Sequence, residues 1–170
     1  MEELMKLLSV LLVTAVIVIP PVQGEASSIG GGINYWHAME DIDLDEFDQD
    51  GASFFLSLRN GGAGLLSWEA DFEIMPEGFM ASPEAAYAPQ VYLVVGRRIT
   101  AAVGTGWYYS NGEWADQPFF ILRAGVEFML LPRLSLDVMM NYRFTDWGEL
   151  EGEDIDTDTI MLGAALRINL

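Results

Sequence analysis

The chain has 170 residues, with 26 Asp or Glu against 8 Lys or Arg, no Cys, a formal charge of -18 and 51% hydrophobic residues. That length supports one domain with a sizeable core and leaves no room for a second catalytic domain. Nucleic-acid binding is excluded by the scarcity of clustered basic residues, disorder by the hydrophobicity, and disulfide or thiolate chemistry by the lack of Cys.

The amino terminus reads as a secretory signal peptide over residues 1–26. A 13-residue apolar run, Leu7 to Ile19, follows Lys6 and is followed by Pro20, Pro21 and the small residues Gly24 and Ala26. It is too short to cross a bilayer as a helix, which needs ~20 residues. Glu2 and Glu3 occupy the region where positive charge is expected, so Met5 is a candidate start, and Ala26 is the favoured cleavage position. The remainder, 27–170, has 7 Arg, no Lys, 23 carboxylates and a formal charge of -16.

Period-2 alternation, the mark of strands with one apolar face, then recurs eight times. The first strand, about Ser28 to Ala38, carries Ile29, Ile33 and Tyr35 on one face. Phe54, Leu56 and Leu58 alternate with Ser53, Ser57 and Arg59; Leu66, Trp68, Ala70, Phe72 and Ile74 alternate with Ser67, Glu69, Asp71 and Glu73. Val91, Leu93 and Val95 form a face between Tyr87 and Ile99, followed by Ala101, Val103, Thr105, Trp107 and Tyr109. Phe120 to Leu130 places its even positions opposite Arg123, Gly125 and Glu127. Leu134 to Phe144 opposes Asp137, Asn141 and Arg143, and the last strand opposes Ile160, Leu162, Leu166, Ile168 and Leu170 to Arg167 and Asn169. The links alternate as well. Short ones fall at Asn60 to Ala63, Arg98 to Thr100 and Leu131 to Arg133; long polar ones fall at Met39 to Gly51, Met75 to Ala86, Ser110 to Gln117 and Asp146 to Asp158. This asymmetry places all long links at one end, as in transmembrane barrels with short periplasmic turns and long external loops.

Alternation alone leaves two arrangements open: a soluble lipocalin-like barrel with its apolar face around a ligand, or a transmembrane barrel with that face toward lipid. Three features favour lipid. The stripes run about 10 residues, enough at a ~40° tilt to span a ~25 Å apolar band. Tyr35, Phe54, Phe72, Trp107, Tyr109, Phe120, Tyr142 and Phe144 gather toward the long-link ends, as an aromatic belt at a membrane interface would. No helix follows the last strand to close a lipocalin mouth. On this choice 18 carboxylates lie in or beside the long links and the other five, Glu69, Asp71, Glu73, Glu127 and Asp137, line the lumen.

The pattern over about 28–170 resembles the small outer-membrane β-barrels of OmpA and OmpX type, an all-β, eight-stranded antiparallel up-and-down fold with a filled lumen. The resemblance implies an integral protein of a bacterial outer membrane, in contact with its lipid and lipopolysaccharide, inserted by the barrel-assembly machinery and monomeric. It also implies that Leu162, Leu166, Ile168 and Leu170 serve as the carboxy-terminal assembly signal, in which Leu170 replaces the customary aromatic residue.

An eight-stranded barrel is filled by its own side chains. Arg123, Arg143 and Arg167 are therefore expected to pair with the five luminal carboxylates, and a three-residue Leu131 to Arg133 turn would set Glu127 opposite Asp137. Enzymatic chemistry is not expected: the single His, His37, has no evident Ser or acid partner for a lipid A-modifying or hydrolytic site. No cofactor is expected. The DIDLDEFDQDG loop imitates the start of an EF-hand, but the position that should be Glu is Ser57, leaving Asp43, Asp45, Asp48 and Asp50 as weak divalent-ion candidates. The glycines lack the spacing of a nucleotide-binding loop. A surface or structural role leads, with a lipocalin-like binder as the runner-up and a small channel or lipid A-modifying enzyme third.

Overall fold

A computed structural model of the chain describes residues 27–38, 50–61, 65–77, 85–145 and 159–170. The signal segment and the divalent candidates Asp43, Asp45 and Asp48 lie outside them. So does the side chain of Asp50, whose backbone opens a strand opposite that of His37.

Among the described residues ten strands form: β1 (Ser27–Ala38), β2 (Asp50–Asn60), β3 (Leu66–Met75), β4 (Ala86–Gly96), β5 (Ile99–Gly106), the two-residue β6 (Tyr109–Ser110) and β7 (Glu113–Trp114), β8 (Phe119–Leu131), β9 (Leu134–Phe144) and β10 (Thr159–Asn169). Every pairing is antiparallel. The order β3-β2-β1-β10-β9-β8-β5-β4 is joined by β3–β4 into a closed ring of eight, so no long edge is left open. The first and last strands meet along Ser28–Asn169 to Ala38–Thr159.

β6 and β7 are a departure from the expected strand-and-loop pattern. The spacing predicts a fifth strand continuing through Trp107 and Tyr109; β5 itself ends at Gly106, but its register against β4 carries on, with the Trp107 N–H bonded to the Pro89 carbonyl and Tyr109 opposite Tyr87, and the chain then turns back as the small hairpin β6–β7. Its turn is Asn111–Gly112, both with positive φ (56° and 80°), which is the backbone a two-residue type I′ turn requires and which Asn-Gly adopts readily. Two short links also shift. Arg97–Arg98 joins β4 to β5, and Pro132–Arg133 joins β8 to β9, shorter than the expected three-residue turn. A bulge between Met129 and Leu131 takes up the odd residue, so Glu127 still pairs with Asp137.

The two faces are unambiguous. On β3, Ser67, Glu69, Asp71, Glu73 and Met75 are buried while Leu66, Phe72 and Ile74 are exposed. Leu56 is 66% exposed and Leu162 59%, although both are central in their strands. The apolar face therefore points outward and the charged face inward, which is the reverse of a soluble ligand-binding barrel.

Candidate functional site

The lumen is built from the inward positions of every wall strand and has two regions. Toward the end with the long links, here the loop end, it is apolar. Trp36 from β1, Met75 from β3, Phe119 and Ile121 from β8 and Met161 from β10 are all buried, and Tyr108 stacks on Phe119 with ring centroids 4.3 Å apart. This plug continues down the inner wall of β4 and β5 as Tyr92, Val94 and Ala102. A second small group, Phe55, Met139 and Ala165, packs across Gly32. A Cβ on Gly32 would lie 2.8 Å from the Ala165 Cα and 2.7 Å from the Phe55 ring, so only glycine admits that contact.

Toward the other, turn end, the lumen is ionic. Glu69 is its hub: it accepts from Arg59 Nε at 2.5 Å, Arg123 Nη1 at 2.6 Å and Arg167 Nη2 at 3.2 Å. Arg123 donates from its other nitrogens to Asp71 (2.9 Å) and to Asn141 (2.6 Å), and its guanidinium lies 3.8 Å from the centre of the Tyr92 ring. Asp137 accepts from Arg167 Nε at 3.0 Å and Arg59 Nη2 at 3.1 Å, and Glu127 accepts from Arg59 at 3.5 Å. Higher in the lumen, Glu73 pairs with Arg143 and accepts from Ser53, from Asn34 Nδ2 at 2.8 Å and from Gln90 Nε2 at 2.6 Å. Arg143 in turn reaches the Tyr108 hydroxyl at 3.4 Å, which ties the ionic region to the plug.

The charges balance. Four guanidiniums (Arg59, Arg123, Arg143, Arg167) face four buried carboxylates (Glu69, Asp71, Glu73, Asp137), while Glu127 keeps a side-chain exposure of 23% at the turn end. Such neutrality is what a dry interior demands, because an unpaired ion there costs several kcal/mol, on the order of the whole stability of a small domain.

Thus the eight luminal residues anticipated from the alternation all sit on one connected inner surface, in three linked groups around Glu69, Asp137 and Glu73. Arg59 was missed as a luminal cation, though its parity with Ser53 and Ser57 was the available signal. Asn141 shares the anticipated polar face with Asp137 and Arg143, but Asn34, Gln90 and Tyr92 were missed because uncharged polar and aromatic residues carry little weight in an alternation of charge against apolarity.

The aromatic set divides. Tyr35 (49% exposed), Phe54 (54%) and Phe72 (45%) stand on the outer face, Phe120 and Tyr142 are half-buried, and Trp107 and Tyr109 belong to the hairpin region beyond β5. Phe144 is a correction to the expected exposed belt: it is 1% exposed, packed 5.7 Å from both Phe120 and Tyr142. Leu162, Leu166 and Ile168 all point outward, and Leu170 follows the end of β10 with its N–H bonded to the Ser27 carbonyl. Among the described residues no group of three or more His, Asp or Glu is placed to hold a metal ion.

No protein-family model matches the chain, and neither does any curated protein sequence. Solved structures do. The crystal structure of Neisserial surface protein A superposes with a TM-score of 0.52 at 12% identity, covering 85% of this chain and 96% of that one. The N-terminal β-barrel domain of Pseudomonas aeruginosa OprF gives 0.50 at 7% identity, over 85% and 97% of the two chains. A de novo designed transmembrane β-barrel gives 0.50 at 11%, over 85% and 95%. All three are small eight-stranded membrane barrels, and at these identities the likeness is one of fold.

Proposed function

We propose that the chain is an integral protein of a bacterial outer membrane, a non-enzymatic barrel that anchors acidic external loops and contributes to envelope structure or surface interaction. One observation carries this reading: the apolar face is turned outward over the whole wall, while a neutral, closely bonded ionic network fills the inside. An exposed apolar surface of that extent suits hydrocarbon, not water. A filled interior suits an anchor better than a diffusion pore, since a small ion crossing it would have to displace both the Trp36–Phe119 plug and the Glu69 hub.

The partners on this reading are outer-membrane lipid, lipopolysaccharide and, during insertion, the assembly machinery. The long links 39–49, 76–85 and 145–158 hold no Lys or Arg. Contact with lipopolysaccharide phosphates would therefore run through bridging divalent cations, not through direct ion pairs. The test is fractionation with heat-modifiable gel mobility, followed by planar-bilayer recording. Recovery in the outer-membrane fraction, a folded band that shifts on boiling and an absence of discrete conductance are the expected results. A protein soluble without detergent would overturn the reading.

A further inference from the structure

The outer face of the wall is not uniformly paved. On β5 the outward positions are short: Val103 sits in register between Leu93 of β4 and Leu122 of β8, and Thr105 between Val91 and Phe120. β5 is thus the floor of a shallow groove of about 440 Å³, walled by Val91 and Leu93 on one side and Phe120 on the other. The floor continues toward the turn end at Ala101, which is exposed beside an equally short Ala124.

The groove is chemically uniform. Its one outward hydroxyl, that of Thr105, is spent on the Phe119 carbonyl at 3.0 Å, which leaves the Thr105 methyl as the group offered to the groove. Behind the floor Tyr92 packs against Gly104, where an added Cβ would come within 2.4 Å of the ring, and so closes the wall between groove and lumen. Among the described residues no charged side chain lines it. A surface with no polar group to satisfy suits an alkyl chain, not a polar ligand.

Dimensions and depth narrow the occupant. At a strand spacing of ~4.8 Å the backbones of β4 and β8 stand roughly 10 Å apart across β5. Between their side chains that leaves width for one alkyl chain but none for a partner helix, which is itself ~10 Å across. From Ala101 to Thr105 the floor runs about 13 Å at ~3.3 Å per residue, within the ~15 Å that one leaflet contributes to a ~30 Å hydrocarbon core. Rings bracket its loop end: Tyr87 lies opposite Tyr109 on the β4 side, and Phe120 lies 5.7 Å from Phe144 on the β8–β9 side. Aromatic residues so placed mark the membrane interface, so the groove begins at the depth where a lipid's glycerol gives way to its acyl chains.

We infer that the groove along β5 seats one acyl chain of a lipid in the loop-side leaflet, with the glycerol of that lipid beside Tyr87 and Tyr109. This rests on the membrane-spanning reading above and adds to it a defined lipid site. Packing selects the site, since lipid tails are as apolar as the wall: a chain in the groove is touched on three sides, one on the flat wall on a single side.

The test uses the protein folded into phosphatidylcholine vesicles that contain a phosphatidylcholine with a photoreactive diazirine in its acyl chain. Labelled residues are mapped by mass spectrometry after irradiation. The added dispersion contacts should raise labelling of Leu93, Val103 and Thr105 at least about threefold above that of Leu56 and Leu162, outward residues elsewhere on the wall. Val103→Phe fills the floor and should bring Leu93 down to the level of Leu56 while keeping the heat-modifiable shift. Val138→Phe, outward on β9 and away from the groove, should leave the wild-type pattern intact. If Val103→Phe does not fold, Val103→Leu replaces it and should lose part of the excess. Even labelling of all outward residues, or an excess that survives the filled floor, overturns the seat while leaving the membrane barrel intact. So does a groove that stays unlabelled in a protein that is dimeric in the vesicles, since a second copy then covers it. Failure of every outward residue to be labelled overturns both readings.

Discussion

Replacing Glu69 by Gln keeps the side chain's shape and removes its charge, which makes it the sharpest probe of the lumen. Glu69 is fully buried and accepts from three guanidiniums at 2.5, 2.6 and 3.2 Å. After the substitution four buried cations face three buried carboxylates. Removing one member of a buried ionic set costs ~3–5 kcal/mol, because the charge left behind is neither solvated nor paired. Asp71 and Asp137 still hold Arg123, Arg59 and Arg167, and the half-open turn end lets some water reach Arg59, so the lower end of that range, about 3 kcal/mol, is expected. Arg167→Met should cost a similar amount, since it strips partners from Glu69 and Asp137 together. The double substitution Glu69→Gln, Arg167→Met restores three cations against three carboxylates. Its cost should fall below the sum of the singles by ~2 kcal/mol or more, a coupling in the range measured for contacting buried groups. Urea titration of the barrel in phospholipid vesicles, read by tryptophan fluorescence and heat-modifiable mobility, measures all three. Additive single costs, or a Glu69→Gln cost below ~0.5 kcal/mol, would refute the claim that luminal charge balance stabilises the fold.

Leu166→Arg, at an outward position in the middle of β10, should destabilise the vesicle-inserted barrel by ~2–4 kcal/mol; a negligible change would mean that this face meets water. Phe119→Ala removes the ring under Tyr108 and beside Arg143, and should cost ~3 kcal/mol and give intermittent conductance in planar bilayers where wild type gives none. Gly32→Val should reduce the folded yield sharply, because its Cβ would collide with the Ala165 backbone at the seam between first and last strands. Gly31→Val, whose nearest contact would be 3.5 Å, should fold normally, and equal yields would contradict the close-packing account.

How much was legible in the sequence depended on how strictly a segment alternates. β9 and β10 each keep one face consistently apolar, and their faces followed directly, whereas the Glu127–Asp137 pairing expected from a three-residue turn holds because a bulge offsets the two-residue one. β4 reads AYAPQVYLVVG, apolar on both parities: the expected face of Val91, Leu93 and Val95 is the outward one, but nothing in the pattern marked Tyr92 and Val94 as packing inside the lumen. The inward Trp36 and Phe119 were hidden for the same reason: a rule that sends apolar residues to lipid cannot foresee an apolar plug. The register against β4 does run on through Trp107 and Tyr109 as the pattern implied; what the pattern did not foresee is the small hairpin that local Asn-Gly turn chemistry makes of the link that follows. Phe144 keeps its outward parity yet is covered by neighbouring rings, because exposure depends on packing across strands that a single strand does not encode.

The lumen's dependence on arginine, with no lysine anywhere in residues 27–170, has a geometric cause that Arg123→Lys would expose. Arg123 sends three separate nitrogens to Asn141, Glu69 and Asp71 at 2.6, 2.6 and 2.9 Å, while its flat face covers Tyr92. These acceptors come from β9 on one side and β3 on the other, so the guanidinium bridges the lumen, and its planar fork is what permits bonds in divergent directions at one height. An ammonium is a single point on a flexible stem: it keeps the charge but has neither the reach nor the face. Arg123→Lys therefore separates geometry from charge. If neutrality alone mattered, the change would be nearly silent. If the fork matters, about two charge-assisted bonds are lost, each worth ~1.5–3 kcal/mol, and the variant should approach Glu69→Gln in its urea midpoint despite carrying the wild-type charge. A midpoint within experimental error of wild type would show that the interior of this barrel is held by charge balance and not by the directions in which arginine can donate.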